Sequence, residues 1–105
     1  MNNQHFDPDK WAKMTIFEQM GNIGSEVSRA ISAKKRSDEE SLKGAFYRGL
    51  DLFDATADAW KQNPRRTAEI LRARELFSQL VQGNGDGEGL NKYFMEFAIA
   101  ARLQK

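Results

Sequence analysis

Apolar residues recur along this chain at helical rather than strand spacing. Ile16, Met20, Ile23, Val27 and Ala30 step by four, three, four and three residues. That spacing keeps them on one face of a helix turning by about 100° per residue. A second stripe follows in Leu42, Phe46, Leu50, Phe53, Ala57 and Trp60. A third joins Ile70, Ala73, Phe77 and Leu80, with Leu71, Leu76 and Val81 beside it. Leu90, Phe94, Phe97 and Ala101 mark a fourth. No alternating run bounded by turns is present, so no sheet is predicted.

Polar residues and prolines set the boundaries. Asp7-Pro8 and Asn63-Pro64 each place a capping side chain before a proline at the first helical position. A short opening turn over residues 8–14 leads to Thr15-Ile16-Phe17-Glu18, a capping-box pattern in which Glu18 reaches back to the start. The first long helix then runs to Lys34, Lys35 and Arg36, whose cations suit a helix C-terminus. Ser37 is expected to cap the second, with Asp38, Glu39 and Glu40 in its first turn. The glycine-rich stretch 82–89 reads as the one flexible loop, and the last helix is expected from Glu88 or Gly89 onward. Residues 1–7 read as a disordered tail. Long helices joined by short connections lie antiparallel. The expected fold is all-α, an up-down antiparallel four-helix bundle forming a single domain over all 105 residues.

Composition narrows the chemistry. Sixteen Lys+Arg against 15 Asp+Glu give a formal net charge of +1, unlike a strongly basic nucleic-acid coat or an acidic tail. The chain contains no Cys, which excludes disulfide scaffolds, zinc ribbons, thiol nucleophiles and iron–sulfur clusters. Its single His, His5, sits in the N-terminal tail and offers little for catalysis or metal ligation. No apolar run approaches the roughly 18 residues of a membrane span, and no apolar signal core opens the chain. A small cytoplasmic domain without a cofactor is the expectation.

The helix faces point to association. The last helix is apolar nearly all round: Tyr93 and Ala100 flank its main face, and Met95 and Ile99 lie opposite. A helix that is apolar all round is buried all round. Either this helix is central or a second subunit supplies the missing cover, with scattered surface apolars as the plainer account. Gly21, Gly24 and Ser28 line a flank of the first long helix, where two glycines cost roughly 1 kcal/mol each relative to Ala. Small residues there permit close packing inside one bundle or across a subunit interface. A similar row of Ala45, Gly49, Thr56 and Ala59 lies on the second helix. Asn22, Ser25, Glu26 and Arg29 read as a solvated polar face, with Glu26 and Arg29 spaced to pair.

Candidate chemistry is thin. Asp51, Asp54 and Asp58 resemble half of the magnesium site of all-α nucleoside-triphosphate pyrophosphatases, but no second helix offers a matching acidic pair. Residues 84–89 imitate the first half of a calcium loop, yet the position of its bidentate Glu falls on Met95. Arg65, Arg66, Arg72 and Arg74 cluster on the third helix. Two of them sit in its first turn, against the helix dipole, which points to a phosphate or an acidic partner. In an up-down bundle they lie at the opposite end from Lys34, Lys35 and Arg36.

The runs Asn22-Ile23-Gly24-Ser25-Glu26-Val27, Arg48-Gly49-Leu50-Asp51-Leu52-Phe53-Asp54 and Tyr93-Phe94-Met95-Glu96-Phe97-Ala98, with Ala100-Ala101-Arg102 after them, resemble a family of small uncharacterised prokaryotic helical proteins. That resemblance covers most of the chain from Trp11 onward and implies no activity. At fold level the chain resembles the bundles of 23S rRNA intervening-sequence proteins and of the accessory variability determinant of diversity-generating retroelements. That likeness implies oligomeric rings whose basic surfaces bind nucleic acid and a protein partner. It is also similar, more weakly, to HEPN domains, helical dimers that often act as ribonucleases through an Arg-to-His motif. Here no His follows His5, so that motif is absent. The function expected is a non-enzymatic, self-associating accessory module that presents a helical face to a protein partner. The alternative is an accessory protein that binds RNA or DNA through the four arginines, and a lesser one is a metal-dependent nucleotide hydrolase.

Overall fold

The computed structural model describes residues 7–83 and 87–103. Within them the chain is all-α: α1 (Pro8–Ala12), α2 (Ile16–Lys35), α3 (Glu39–Ala59), α4 (Pro64–Val81) and α5 (Gly87–Leu103). No strand occurs among the described residues. Apart from Asp7, which caps α1, the tail lies outside the described residues, as does 84–86 of the loop.

Local chemistry starts the helices where the polar pattern puts them. Thr15 and Glu18 form the capping box, with the two reciprocal bonds at 3.1 and 2.9 Å. Asn63 accepts from the Arg66 backbone N–H at 3.0 Å ahead of Pro64. The expectation at Ser37 is corrected: Asp38 caps α3, accepting from the Ser41 N–H at 3.1 Å. Ser37 instead closes α2. Its φ of 57° is left-handed, and the N–H groups of Ser37 and Asp38 donate to the Lys34 and Ala33 carbonyls at 3.1 and 2.9 Å. This is the pattern of a Schellman turn, with serine where glycine usually sits. Because Asp38 also accepts from the Ser41 hydroxyl at 2.7 Å, its carboxyl is held below the usual carboxylate range, chiefly by Ser41. The last helix, expected from Glu88 or Gly89, starts one residue sooner: Gly87 already belongs to the first turn of α5.

The core forms where the stripes meet. Met20, Ile23, Val27 and Ala30 of α2 are fully enclosed, and α2 packs mainly against α3 and α5, while α4 lies against α3. Phe53 joins the layers. Its ring lies 5.9 Å from both Phe77 of α4 and Phe94 of α5, separations typical of favourable aromatic pairs. Two glycines make the approach possible. A Cβ on Gly24 would stand 2.7 Å from the Phe94 Cβ, and one on Gly49 would stand 2.7 Å from the Phe77 ring.

A polar network fastens α1 to the body. The Trp11 indole donates to Thr56 Oγ1 at 2.9 Å, and the Gln19 amide donates to the Trp11 carbonyl at 2.8 Å. Gln19 in turn accepts from the Trp60 indole at 2.7 Å. Gln19 and Thr56 are fully buried. Buried polar groups are tolerable only when satisfied, and no buried side-chain N or O among the described residues lacks a partner.

Candidate interaction surfaces

On the solvent side of the α2–α5 seam the small residues leave a shallow groove of about 250 Å³, bordered by Gly21, Gly24, Ser28, Phe94 and Met95. Gly21 faces the Ala98 Cα, where a Cβ would stand at 3.3 Å, and Gly24 faces Phe94. Both glycines thus serve close packing within the chain. Met95 and Ile99, one helical turn apart, are 55% and 41% exposed. Leu103, a further turn on, is exposed as well. Of the candidate interface residues, Met95 and Ile99 share one side of α5, Gly21, Gly24 and Ser28 lie across the seam on α2, and Tyr93 stands apart from both.

Tyr93 lies on the other flank, toward α4. There a groove of about 470 Å³ opens between the two helices, lined by Ala73, Leu76, Leu90 and Tyr93, with Glu69 and Arg72 among its polar residues. The Tyr93 hydroxyl donates to Glu69 at 3.0 Å, and Arg66 pairs with the same carboxylate at 2.8 Å. Burial first, and the Glu69 charge second, push the Tyr93 phenol far above its ordinary range, so it stays a neutral donor.

The four arginines of α4 do not form one patch. Arg66 pairs with Glu69 and stacks over the Trp60 ring at 5.6 Å, a cation–π contact. Arg74 is tied to Asp54 of α3 at 2.9 Å. Arg65 and Arg72, seven residues apart and exposed, share a side of the helix. The end of α2 is remote from the first of them: the Lys34 ammonium caps the Leu80 carbonyl at 2.6 Å, at the far end of α4.

The carboxylates do not converge on a metal. Asp51, Asp54 and Asp58 are exposed on α3, with Asp54 paired to Arg74 and Asp58 to Lys61 at 3.6 Å. Among the described residues no group of three His, Cys, Asp or Glu side chains is placed to hold a metal ion. The calcium-like run 84–89 falls partly outside the described residues.

The polar face of α2 is corrected. Glu26 is not solvated but buried, at 8% exposure, and joins two helices. It pairs with Arg29 at 3.1 Å, as the spacing predicts, and with Arg48 of α3 at 3.2 Å. Asn22 donates to the Glu18 carbonyl at 2.8 Å. Arg48 was not among the sequence candidates, because its partner stands 22 residues away and only tertiary packing brings them together.

The chain matches no protein-family model, no curated protein and no solved structure. No helix among the described residues is long and apolar enough to cross a membrane. An all-α fold alone does not fix a function, so the surfaces carry the argument.

Proposed function

We propose that the chain is a non-enzymatic accessory module that self-associates through the exposed side of α5 and presents a helical face to a protein partner in the cytoplasm. In this reading the long helices form an up-down antiparallel bundle, an arrangement favoured by their short connections. The row Met95–Ile99–Leu103 carries the proposal. These are large apolar side chains left in water, and the first of them, Met95, borders the groove of small residues on α2. Apolar surface of this kind gains about 25 cal/mol per Å² when covered. The absence of cysteine from the sequence and of a metal-ligating cluster among the described residues favours binding over chemistry. The four α4 arginines do not gather on one surface, Arg66 being drawn to Glu69 and Arg74 to Asp54 of α3, which weighs against the nucleic-acid reading.

Light scattering across a size-exclusion peak tests this. The expected mass is a multiple of 12.0 kDa, and the paired change Met95→Glu with Ile99→Glu returns it to the monomer with the helical circular dichroism intact. A monomer mass for the unaltered chain at micromolar concentration overturns self-association.

A further inference from the structure

A polar groove of about 450 Å³ runs between α2 and α3, and three guanidinium groups line it: Arg29, Arg36 and Arg48. They come from separate places. Arg29 lies on α2, Arg36 ends α2, and Arg48 lies on α3. Each is held by a neighbour. The buried Glu26 carboxylate takes Arg29 Nη1 at 3.1 Å and Arg48 Nε at 3.2 Å. Arg36 donates from Nη1 to Ser32 Oγ at 2.9 Å and from Nη2 to Asp38 at 3.3 Å.

These bonds orient the arginines without exhausting them. A guanidinium carries five N–H donors in a rigid fork. The pairing of Arg48 runs through Nε. Its Nη1 lies over Gly44, where a Cβ would stand only 3.2 Å away. The bare α3 backbone at Gly44 makes room for that guanidinium at the groove. The three side chains remain 46–61% exposed while the Glu26 carboxylate beneath is 11% exposed. A buried carboxylate that fixes two exposed arginines is a preorganised anion cradle, because the ordering of the long side chains is already done before a ligand arrives. The Ser32 side chain on the same wall adds a hydroxyl group, whereas the Ser41 hydroxyl is already given to Asp38.

We propose that this groove binds the terminal phosphate of a small phosphomonoester. A phosphate presents three acceptor oxygens in a tetrahedral fan, which suits donors arriving from three positions. A carboxylate, with two coplanar oxygens, is satisfied by a single guanidinium fork. Glu40 shares the rim and opposes the anion. It therefore supplies a variant of opposite sign. The site is independent of self-association, since it lies between α2 and α3 and not along α5.

Amide shifts in ¹⁵N–¹H spectra of the whole protein, titrated with inorganic phosphate and separately with adenosine monophosphate at constant ionic strength, test the proposal. Saturable shifts are expected at Ser32, Ser41 and Gly44. Arg36→Ala, which leaves the Glu26 pairs in place, is expected to weaken binding about tenfold, and Glu40→Gln to tighten it several-fold. Saturation by inorganic phosphate assigns the site to the phosphate alone. Tighter binding of the nucleotide, on the same amides, adds a contact from the base or ribose and equally supports the cradle. Three results overturn it: no saturable shift at these amides with either probe, the same shifts with sodium chloride, or binding that Arg36→Ala does not change.

Discussion

Helix α5 has two flanks, and they are built differently. Against α2 the seam is closed to backbone distance: Gly24 leaves no room between its Cα and the Phe94 side chain. Against α4 the same helix stands off, and a groove of about 470 Å³ remains between Leu76 and Tyr93. The difference comes from side-chain size at the contact. Residues 21 and 24 are glycine, so α2 presents bare backbone to Ala98 and Phe94. On α4 the facing residues are Ala73, Leu76 and the charged Glu69 and Arg72, and a polar link from Tyr93 to Glu69 spans the gap. A closed seam resists substitution, whereas an open groove absorbs it.

The sharpest way to break this contrast is Gly24→Ala. Alanine should gain about 1 kcal/mol in helix propensity. The clash with Phe94 reverses the sign, and we expect a net loss of about 1–3 kcal/mol in denaturant unfolding. In a Phe94→Gly background, which removes the Cβ that residue 24 would meet and costs at least the about 3–5 kcal/mol of a large-to-small core change, the same alanine should become neutral or stabilising. Additive losses in that double-mutant cycle would show that the seam is not the cause.

The open flank is probed by Tyr93→Phe, which removes one hydrogen bond at a half-buried site and should lower stability by about 1 kcal/mol. It also carries a pH signature. The phenol is raised above its ordinary value of 10.0 in the folded chain. Its contribution is therefore complete below pH 10.0 and is lost as pH rises beyond it, because the unfolded chain releases the proton first. The Tyr93→Phe protein should lose less stability between pH 10 and 11 than the parent. Equal alkaline losses would place the titrating group elsewhere.

The smallest effect lies away from α5 altogether. Ser37 holds a left-handed φ of 57°, a conformation that costs a residue with a Cβ about 1 kcal/mol. Ser37→Gly should raise the midpoint of thermal unfolding by an amount matching about 0.5–1 kcal/mol, without altering either flank of α5. A lower midpoint would mean that the serine makes a contact worth more than the strain.

Much of the architecture was legible in local pattern. The stripes through Met20, Phe53, Phe77 and Phe94 became the core, and Thr15 and Asn63 cap the helices they precede. At the α2–α3 junction two good capping residues stand side by side. Ser37 and Asp38 are alike as caps, and what separates them is that the end of α2 consumes the first in a left-handed turn. Glu26 was half legible. Its bond to Arg29 follows from helical spacing, whereas its burial and its bond to Arg48 follow only from the approach of α3. The link of Trp11, Gln19, Thr56 and Trp60 left no local signal, since its longest bond spans 45 residues.

The sequence by itself determined the helices, most of their ends and which face of each is apolar, because those properties depend on neighbours within about four residues. It also removed thiol chemistry, by composition alone. The tertiary structure decided which polar side chains are buried, which arginines are already paired, and which apolar residues of α5 stay in water. These depend on how far apart two helices stand. That distance is set by side-chain volume on both partners at once, and a position such as Gly24 acquires its meaning only when Phe94 arrives against it.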